Sequence, residues 1–266
     1  MNNRVDIEMV NKGLVESREK AKALIMAGVV YINNQKALKA GDKIKDGDCI
    51  EIRGQKLPFV SRGGLKLDKA VKVFDINLSK KICMDIGAST GGFTDCMLQN
   101  GASKVFAVDV GYGQLAWKLR NDTRVVNMER TNIRYVEKDS IPDEIEFISI
   151  DVAFISLKLV LPVAFELLKN GGRVMALIKP QFEAGRDDVG KKGVVRDPEI
   201  HKRVIGEIVT FSHEIGFTIE KLDFSPVKGP EGNIEYLILL SKNESNDIYV
   251  TDDLIVQTVN KSHEMD

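Results

Sequence analysis

From Ile82 onward, apolar runs and polar breaks alternate with the regularity of an α/β protein. Apolar runs at 82–86, 104–109, 124–128, 146–151, 172–179, 217–224 and 234–241 read as strands. Apolar residues at three- and four-residue spacing predict helices over 92–100, 113–120, 158–169 and 198–215. The last has the fullest set of signals. Asp197 is placed to cap it, Pro198 opens it, Ile200, Val204, Ile208, Phe211 and Ile215 form its inner stripe, and Gly216 stops it. Such alternation predicts a mostly parallel sheet with helices on both faces. Residues 225–233 join the last two strands without a helical pattern, so the final strand is expected to be antiparallel.

The front of the chain has a different rhythm. Residues 1–57 read as a small α+β module: a helix from Val5 to Asn11, then a helix capped by Ser17 that runs to Ala27, with Gly28 just past its end. Ala21, Leu24 and Ile25 form the inner stripe of the second helix, and Arg18 and Lys22 share its other face. Strands follow at 29–32 and 48–52, with turns at Asn33-Asn34 and Asp46-Gly47. Gly54 to Pro58 reads as a break, and 58–64 as a linker ending in the loop Ser61-Arg62-Gly63-Gly64. A helix over 65–74 then buries Leu67, Ala70, Val71 and Phe74. Lys66 lies in its first turn, where a cation opposes the helix dipole, which marks it for function rather than helix stability. Domain limits are therefore expected at 1–57, 65–242 and a polar tail, 243–266, with a short helix over 252–260.

Charge sharpens the division. Residues 1–81 carry 17 lysines and arginines against 10 acids, while 82–266 carry 21 against 29, so the net charge of −1 conceals a basic front suited to a polyanion. No apolar run reaches the ~18 residues of a membrane helix, and Met1 to Asp6 has no signal-peptide pattern. A cytoplasmic protein without stable membrane association is expected. Cys49, Cys83 and Cys96 are too few and too scattered for a disulfide framework or a zinc site, and no metal is expected.

The candidate chemistry begins at Asp85-Ile86-Gly87-Ala88-Ser89-Thr90-Gly91-Gly92, where a strand turns through glycines into a helix. Dinucleotide sites use G-x-G-x-x-G. The spacing here is G-x-x-x-G-G, and no G-x-x-x-x-G-K-[ST] loop occurs. Asp85 beside the turn repels phosphate and suits a cationic ligand, and Asp109, about 20 residues past the turn, suits ribose hydroxyls. An acid at the turn, an acid for ribose and no phosphate cradle fit S-adenosylmethionine. Asp151 and Lys179 end apolar strands, and Glu235 opens the last one. In an open α/β sheet, the carboxyl edge is the ligand crevice.

Two resemblances follow. Arg4-Val5-Asp6, Gly13 to Arg18 and Ala23 to Asn33 resemble the RNA-binding domain of small-subunit ribosomal protein four, with Asn34 where that family has glycine. This implies that Arg4, Ser17, Arg18 and Lys22 face RNA phosphates. The glycine turn with Lys66, Asp151, Lys179 and Glu235 resembles the FtsJ-like ribose 2′-O-methyltransferases. With Val60-Ser61-Arg62-Gly63-Gly64-Leu65-Lys66-Leu67 and Lys179-Pro180-Gln181-Phe182-Glu183, the resemblance is closest to the TlyA family. It implies a class I methyltransferase sheet and an rRNA or ribosomal-subunit substrate, with methylation at cytidine 2′-hydroxyls. Haemolysin is another label within that family, so the alternatives are a membrane-active protein and a non-catalytic RNA-binding ribosome-assembly factor that keeps the fold.

The resemblance also implies roles. Gly87, Ser89 and Gly91 would pass beneath the methionine moiety, Asp109 would take the ribose, Asn132 the adenine edge, and Asp151 would lie near the sulfonium. Phe154 is either a pocket wall or a core aromatic, and Arg62 joins the RNA-facing set. Two lysines and two carboxylates in one site shift each other's pKa, so a lysine can serve as base. Lys179 is expected in that role, with Lys66 polarising the hydroxyl. The stretch from Gly185 to Arg196, with three glycines and four basic residues, is expected to be mobile and to order over RNA. Carbon-five pyrimidine methylation needs a late cysteine, and none follows Cys96.

Overall fold

The computed structural model describes residues 3–26, 28–33, 35–37, 39–45, 47–52, 57–190, 192–245 and 247–264. The chain divides into two compact units, Met1–Lys56 and Leu57–Asp266.

In the first unit, helices Val5–Asn11 and Arg18–Met26 share a core of Val5, Met9, Ala21 and Ile25 with Val30, Ile44 and Ile50. Ser17 Oγ accepts the Lys20 N–H at 3.2 Å, the expected cap. Gly28 has φ +70°, the left-handed conformation that stops a helix. Val30–Ile32 pairs antiparallel with Ile50–Ile52 and with Gln35–Lys36. Two further pieces were not anticipated: Gln35–Lys36 itself, and the pairing of Asn3–Arg4 with Lys43–Ile44. Two residues are too short to leave an alternating pattern. Ala27, Asn34, Asp46 and 54–56 lie outside the described residues.

The second unit holds a seven-stranded sheet: β1 Ile82–Ile86, β2 Lys104–Val108, β3 Val125–Met128, β4 Ile145–Ile150, β5 Leu168–Ile178, β6 Thr218–Phe224 and β7 Tyr236–Ser241. The strand order is β6-β7-β5-β4-β1-β2-β3. β7 runs antiparallel to both neighbours, and the other pairings are parallel. This is the expected class I topology. Helices on both faces explain why the strands are apolar on both sides. Met84, Ile86, Ile148 and Ile150 pack on one face with Val204 and Ile208 of helix Pro198–Ile215. Cys83, Val105 and Phe147 pack on the other with Leu67 and Ala70 of helix Gly64–Val73 and Cys96 and Met97 of helix Gly92–Gln99.

Helix Pro198–Ile215 matches its signals: Asp197 accepts the Glu199 N–H at 2.9 Å, and Gly216 has φ +113°. Elsewhere the structure departs from expectation. The helix anticipated over 113–120 shrinks to Trp117–Arg120. Gly113 has φ +75° and Ala116 is extended at ψ 139°, so helical backbone begins only at Trp117. The helix expected over 158–169 is a short turn, Leu157–Leu159, followed by Leu161–Leu167. Pro162 has no N–H to continue the turn before it.

Residues 58–64 are packed rather than free. Phe59 is buried, Val60 N–H donates to Asp95 at 2.8 Å, and a Cβ on Gly64 would collide with the Phe59 ring. The tail also belongs to the fold. Helix Asp252–His263, longer than expected, buries Ile255 and Val259 in the core beside β6 and helix Pro198–Ile215.

Candidate active site

Four charged side chains from distant points of the chain meet at the carboxyl edge of the sheet. Lys66 Nζ lies 2.6 Å from Glu235 Oε2 and 3.4 Å from Asp151 Oδ2. Lys179 Nζ is ion-paired with the other Asp151 oxygen, Oδ1. Asp151 follows the end of β4, Lys179 follows β5, and Glu235 immediately precedes β7, one residue before the strand it was expected to open. Lys66 comes from helix Gly64–Val73, which Lys69 fastens to β6 through the Phe224 carbonyl at 2.6 Å and Asp223 at 3.0 Å. Lys66, Lys179 and Glu235 are all buried.

Burial alone would lower the Lys66 pKa, but Asp151 and Glu235 outweigh it, and the net shift is upward. Lys66 is therefore held as a cation by two carboxylates, whereas Lys179 is paired with one. Glu235 Oε1 is buried with no partner among the described residues, and a Cβ on Gly229 would collide with it.

Beside this cluster lies a crevice of about 430 Å³, within the range of small-ligand sites. Gly87, Ser89, Asp109, Asn132, Asp151 and Phe154 all line it. Gly87 has φ +87°, and a Cβ there would strike the Asp151 carbonyl, so glycine is required where the first strand's turn crosses the fourth. Asp109 accepts the N–H groups of Ser89 and Gly111, each at 2.7 Å, which fixes its carboxylate at the crevice wall. Asn132 uses its side-chain oxygen to cap the Arg134 N–H at 3.1 Å. Phe154 is no core aromatic: it is 90% exposed, has φ +63°, and sets its ring 5.1 Å from that of Phe182.

Two expected ligand residues stand elsewhere. Asp85 is fully buried, away from the crevice. One of its oxygens accepts the Thr94 N–H at 2.9 Å and hydroxyl at 2.7 Å, and the other meets the Ser149 hydroxyl at 3.1 Å. Burial pushes its pKa up to about 7, against the opposing pull of Thr94 and Ser149. Its part is to tie β1 to the start of helix Gly92–Gln99. Gly91 does not line the crevice either. It enters that helix at φ +91°, and a Cβ would collide with Leu115 and Leu119.

The stretch after β5 is more anchored than expected. Glu183 accepts from the Ser156 hydroxyl at 2.6 Å and the Leu157 N–H at 2.8 Å. Val194 and Val195 are buried, and Asn233 bonds both the Val195 N–H and the Gly193 carbonyl. Lys192 and Arg196 are exposed, and Lys191 lies outside the described residues.

Within the first unit, Arg4, Arg18 and Lys22 are exposed. A missed residue organises two of them: buried Asp6 pairs with Arg4 at 2.9 Å and Arg18 at 3.0 Å. Arg4 holds the Asp6 pKa down at about 2 against burial, with help from Arg18. An acid next to an expected phosphate contact carries no sequence signal of its own. Ser17 uses its hydroxyl oxygen in the helix cap. Arg62, in the second unit, is exposed.

Residues 59–242 match the FtsJ-like methyltransferase family, and residues 4–50 match the S4 domain. The chain is 42% identical to the 16S/23S rRNA (cytidine-2′-O)-methyltransferase TlyA of Mycobacterium tuberculosis, over 89% of either chain. The chain belongs to the TlyA family of FtsJ-like methyltransferases. Another relative, named as the rRNA methyltransferase YqxC of Bacillus subtilis, is 55% identical over 89% of this chain and 85% of that one. A solved structure from Streptococcus thermophilus, named as a hemolysin, is 48% identical, covers 98% of this chain and 96% of its own, and superposes with a TM-score of 0.80. The TlyA-family chain is thus a methyltransferase with an RNA-binding type of domain in front.

Proposed function

We propose that this enzyme transfers a methyl group from S-adenosylmethionine to the ribose 2′-hydroxyl of a cytidine in ribosomal RNA. The observation that carries this reading is the convergence of Lys66, Asp151, Lys179 and Glu235 beside the crevice. A ribose hydroxyl is a poor nucleophile until its proton is held or removed, and two amines braced by two acids can do both. The rRNA substrate rests on the S4 domain and on the names of the TlyA relatives.

The crevice fits the cofactor chemically. Gly87 lines it with backbone alone, Asp109 is fixed to accept ribose hydroxyls, and Asn132 offers an amide for the adenine edge. Asp151 lines the crevice and places a carboxylate where a sulfonium would be stabilised. When bound, S-adenosylmethionine supplies an electrophilic methyl group.

The chain's own residues divide the rest. Lys66, held cationic by Asp151 and Glu235, donates a hydrogen bond to the 2′-oxygen and fixes its position. Lys179, paired with a single carboxylate, takes the hydroxyl proton once its own ammonium proton has passed to solvent. Asp151 bridges the two amines and keeps them at a fixed spacing. Most of the acceleration comes from this prearranged geometry and field. Exposed Arg4, Arg18 and Lys22 hold RNA phosphates, and Arg62, Lys192 and Arg196 supply further cations.

A membrane-lytic role is the competing reading, raised by relatives named hemolysin, such as Hemolysin A of Brachyspira hyodysenteriae. Among the described residues, no helix is long and apolar enough to cross a membrane. Incubating the protein with labelled S-adenosylmethionine and unmodified ribosomal subunits, then digesting the RNA, decides between them. 2′-O-methylcytidine in the digest supports the proposal. No incorporation, with lysis of protein-free lipid vesicles, rejects it.

A further inference from the structure

The C-terminal helix Asp252–His263 supplies nothing to the site described above, yet it reaches the strand that presents it. Tyr236, fully buried, directly follows Glu235. Its hydroxyl lies 2.7 Å from His201 Nδ1 and 3.0 Å from Ser262 Oγ of the C-terminal helix. His201 is also fully buried and sets Nε2 3.0 Å from the Val195 carbonyl. A carbonyl only accepts, so Nε2 carries the proton. Burial pulls the imidazole pKa down to about 4, and Nδ1 is then an acceptor for the Tyr236 hydroxyl. His263 Nε2 stands 3.2 Å from the same Nδ1, and Ser262 also reaches the Val259 carbonyl at 2.7 Å.

This network sits where position matters. Tyr236 pairs with Ile178, the residue before Lys179, on one side and with Phe224 on the other. It therefore pins together the strands that present both Lys179 and Glu235. Through Val195, His201 also holds the stretch that Asn233 ties down two residues before Glu235. The Glu235 carboxylate has little room: Gly229 faces Oε1 where even a Cβ would collide, and Lys66 stands 2.6 Å from Oε2.

We propose that helix Asp252–His263 is a positioning element for Glu235, acting through Ser262, Tyr236 and His201. These residues touch neither RNA nor cofactor. They set where the Glu235 carboxylate stands against Lys66. The inference rests on the methyl-transfer reading above, and wild-type activity on ribosomal subunits is its control.

The test is steady-state methyl transfer by variants of the whole 266-residue chain. Tyr236→Phe removes only the hydroxyl. His201→Asn keeps a polar atom where Nδ1 stood, and His201→Gln keeps one where Nε2 stood. Tyr236→Phe and His201→Gln should each lower kcat about tenfold, with KM for the subunits and Kd for S-adenosylmethionine within about twofold. His201→Asn keeps the Tyr236 partner and loses only the Val195 contact, so its kcat should fall less than that of His201→Gln. The inference is overturned if kcat in Tyr236→Phe and His201→Gln stays within about twofold of wild type, or if both His201 variants lose activity equally and in step with Tm. Wild-type protein that transfers no methyl group would remove the functional reading, and this inference with it.

Discussion

Asp85 offers a test of how the glycine turn is built, because the buried carboxylate and the cofactor role make opposite predictions. Its pKa stands at about 7 in the folded protein against 3.8 for a free side chain. The folded state then binds a proton across that interval that the unfolded state releases. An acid raised in this way makes stability fall as pH climbs from about 4 to about 7. The difference of about three pKa units corresponds to about 4 kcal/mol at 1.36 kcal/mol per unit. Asp85→Asn places an amide where the protonated acid would be, able to accept from Thr94 and to donate to the Ser149 hydroxyl. The expected outcome is a variant whose stability relative to wild type rises by about 4 kcal/mol between pH 4 and pH 8. Urea unfolding at both pH values measures it, and subtracting wild type cancels the other titrating groups. S-adenosylmethionine affinity at pH 8 should be unchanged within about twofold, because Asp85 has no atom in the crevice. A parallel pH dependence in the two proteins, or a large loss of cofactor affinity, would refute the reasoning.

Further predictions bear on the crevice and on the RNA-facing unit. Gly87→Ala forces a Cβ into the Asp151 carbonyl at a φ of +87°. It should cost roughly 1–3 kcal/mol in denaturant unfolding and abolish cofactor binding by calorimetry; normal binding would remove the cradle from the account. Replacing both Arg4 and Arg18 with glutamine should weaken binding to rRNA fragments and lower the slope of log K against log salt by about 1.5. An unaltered slope would mean that neither guanidinium meets a phosphate.

Much of the site was legible because charge at the end of an apolar run is conspicuous. Asp151 and Lys179 could be seen this way, and a parallel sheet gathers strand ends at one edge whatever their separation along the chain. Lys66 stood out because a cation in a first helical turn works against the dipole. Asp85 misled because side chains alternate across a strand. It shares the face of Cys83, under the helix that begins at Gly92, rather than the face of Ile86, which lines the crevice. No pattern revealed that Thr94 and Ser149 already held its oxygens.

The shortened helix at Trp117–Arg120 was illegible because Gly113 takes φ +75° and Ala116 an extended ψ of 139°, backbone choices that apolar spacing does not record. The tail read as polar because its anchoring contacts are long-range. His263 meets His201 and Ser262 meets Tyr236 across 62 and 26 residues, separations that no local periodicity records.

The proposed reaction depends on Lys179 as the group that takes the proton. The most direct measurement compares wild type with Lys179→Ala in single-turnover methyl transfer to unmodified ribosomal subunits, with cofactor affinity measured alongside. Wild type should leave label in alkali-resistant dinucleotides, the signature of a 2′-O-methyl group. Lys179→Ala should fall by at least about 100-fold in rate, as loss of a general base requires, while still binding S-adenosylmethionine. Label in the base, or a Lys179→Ala enzyme as fast as wild type, would contradict the account.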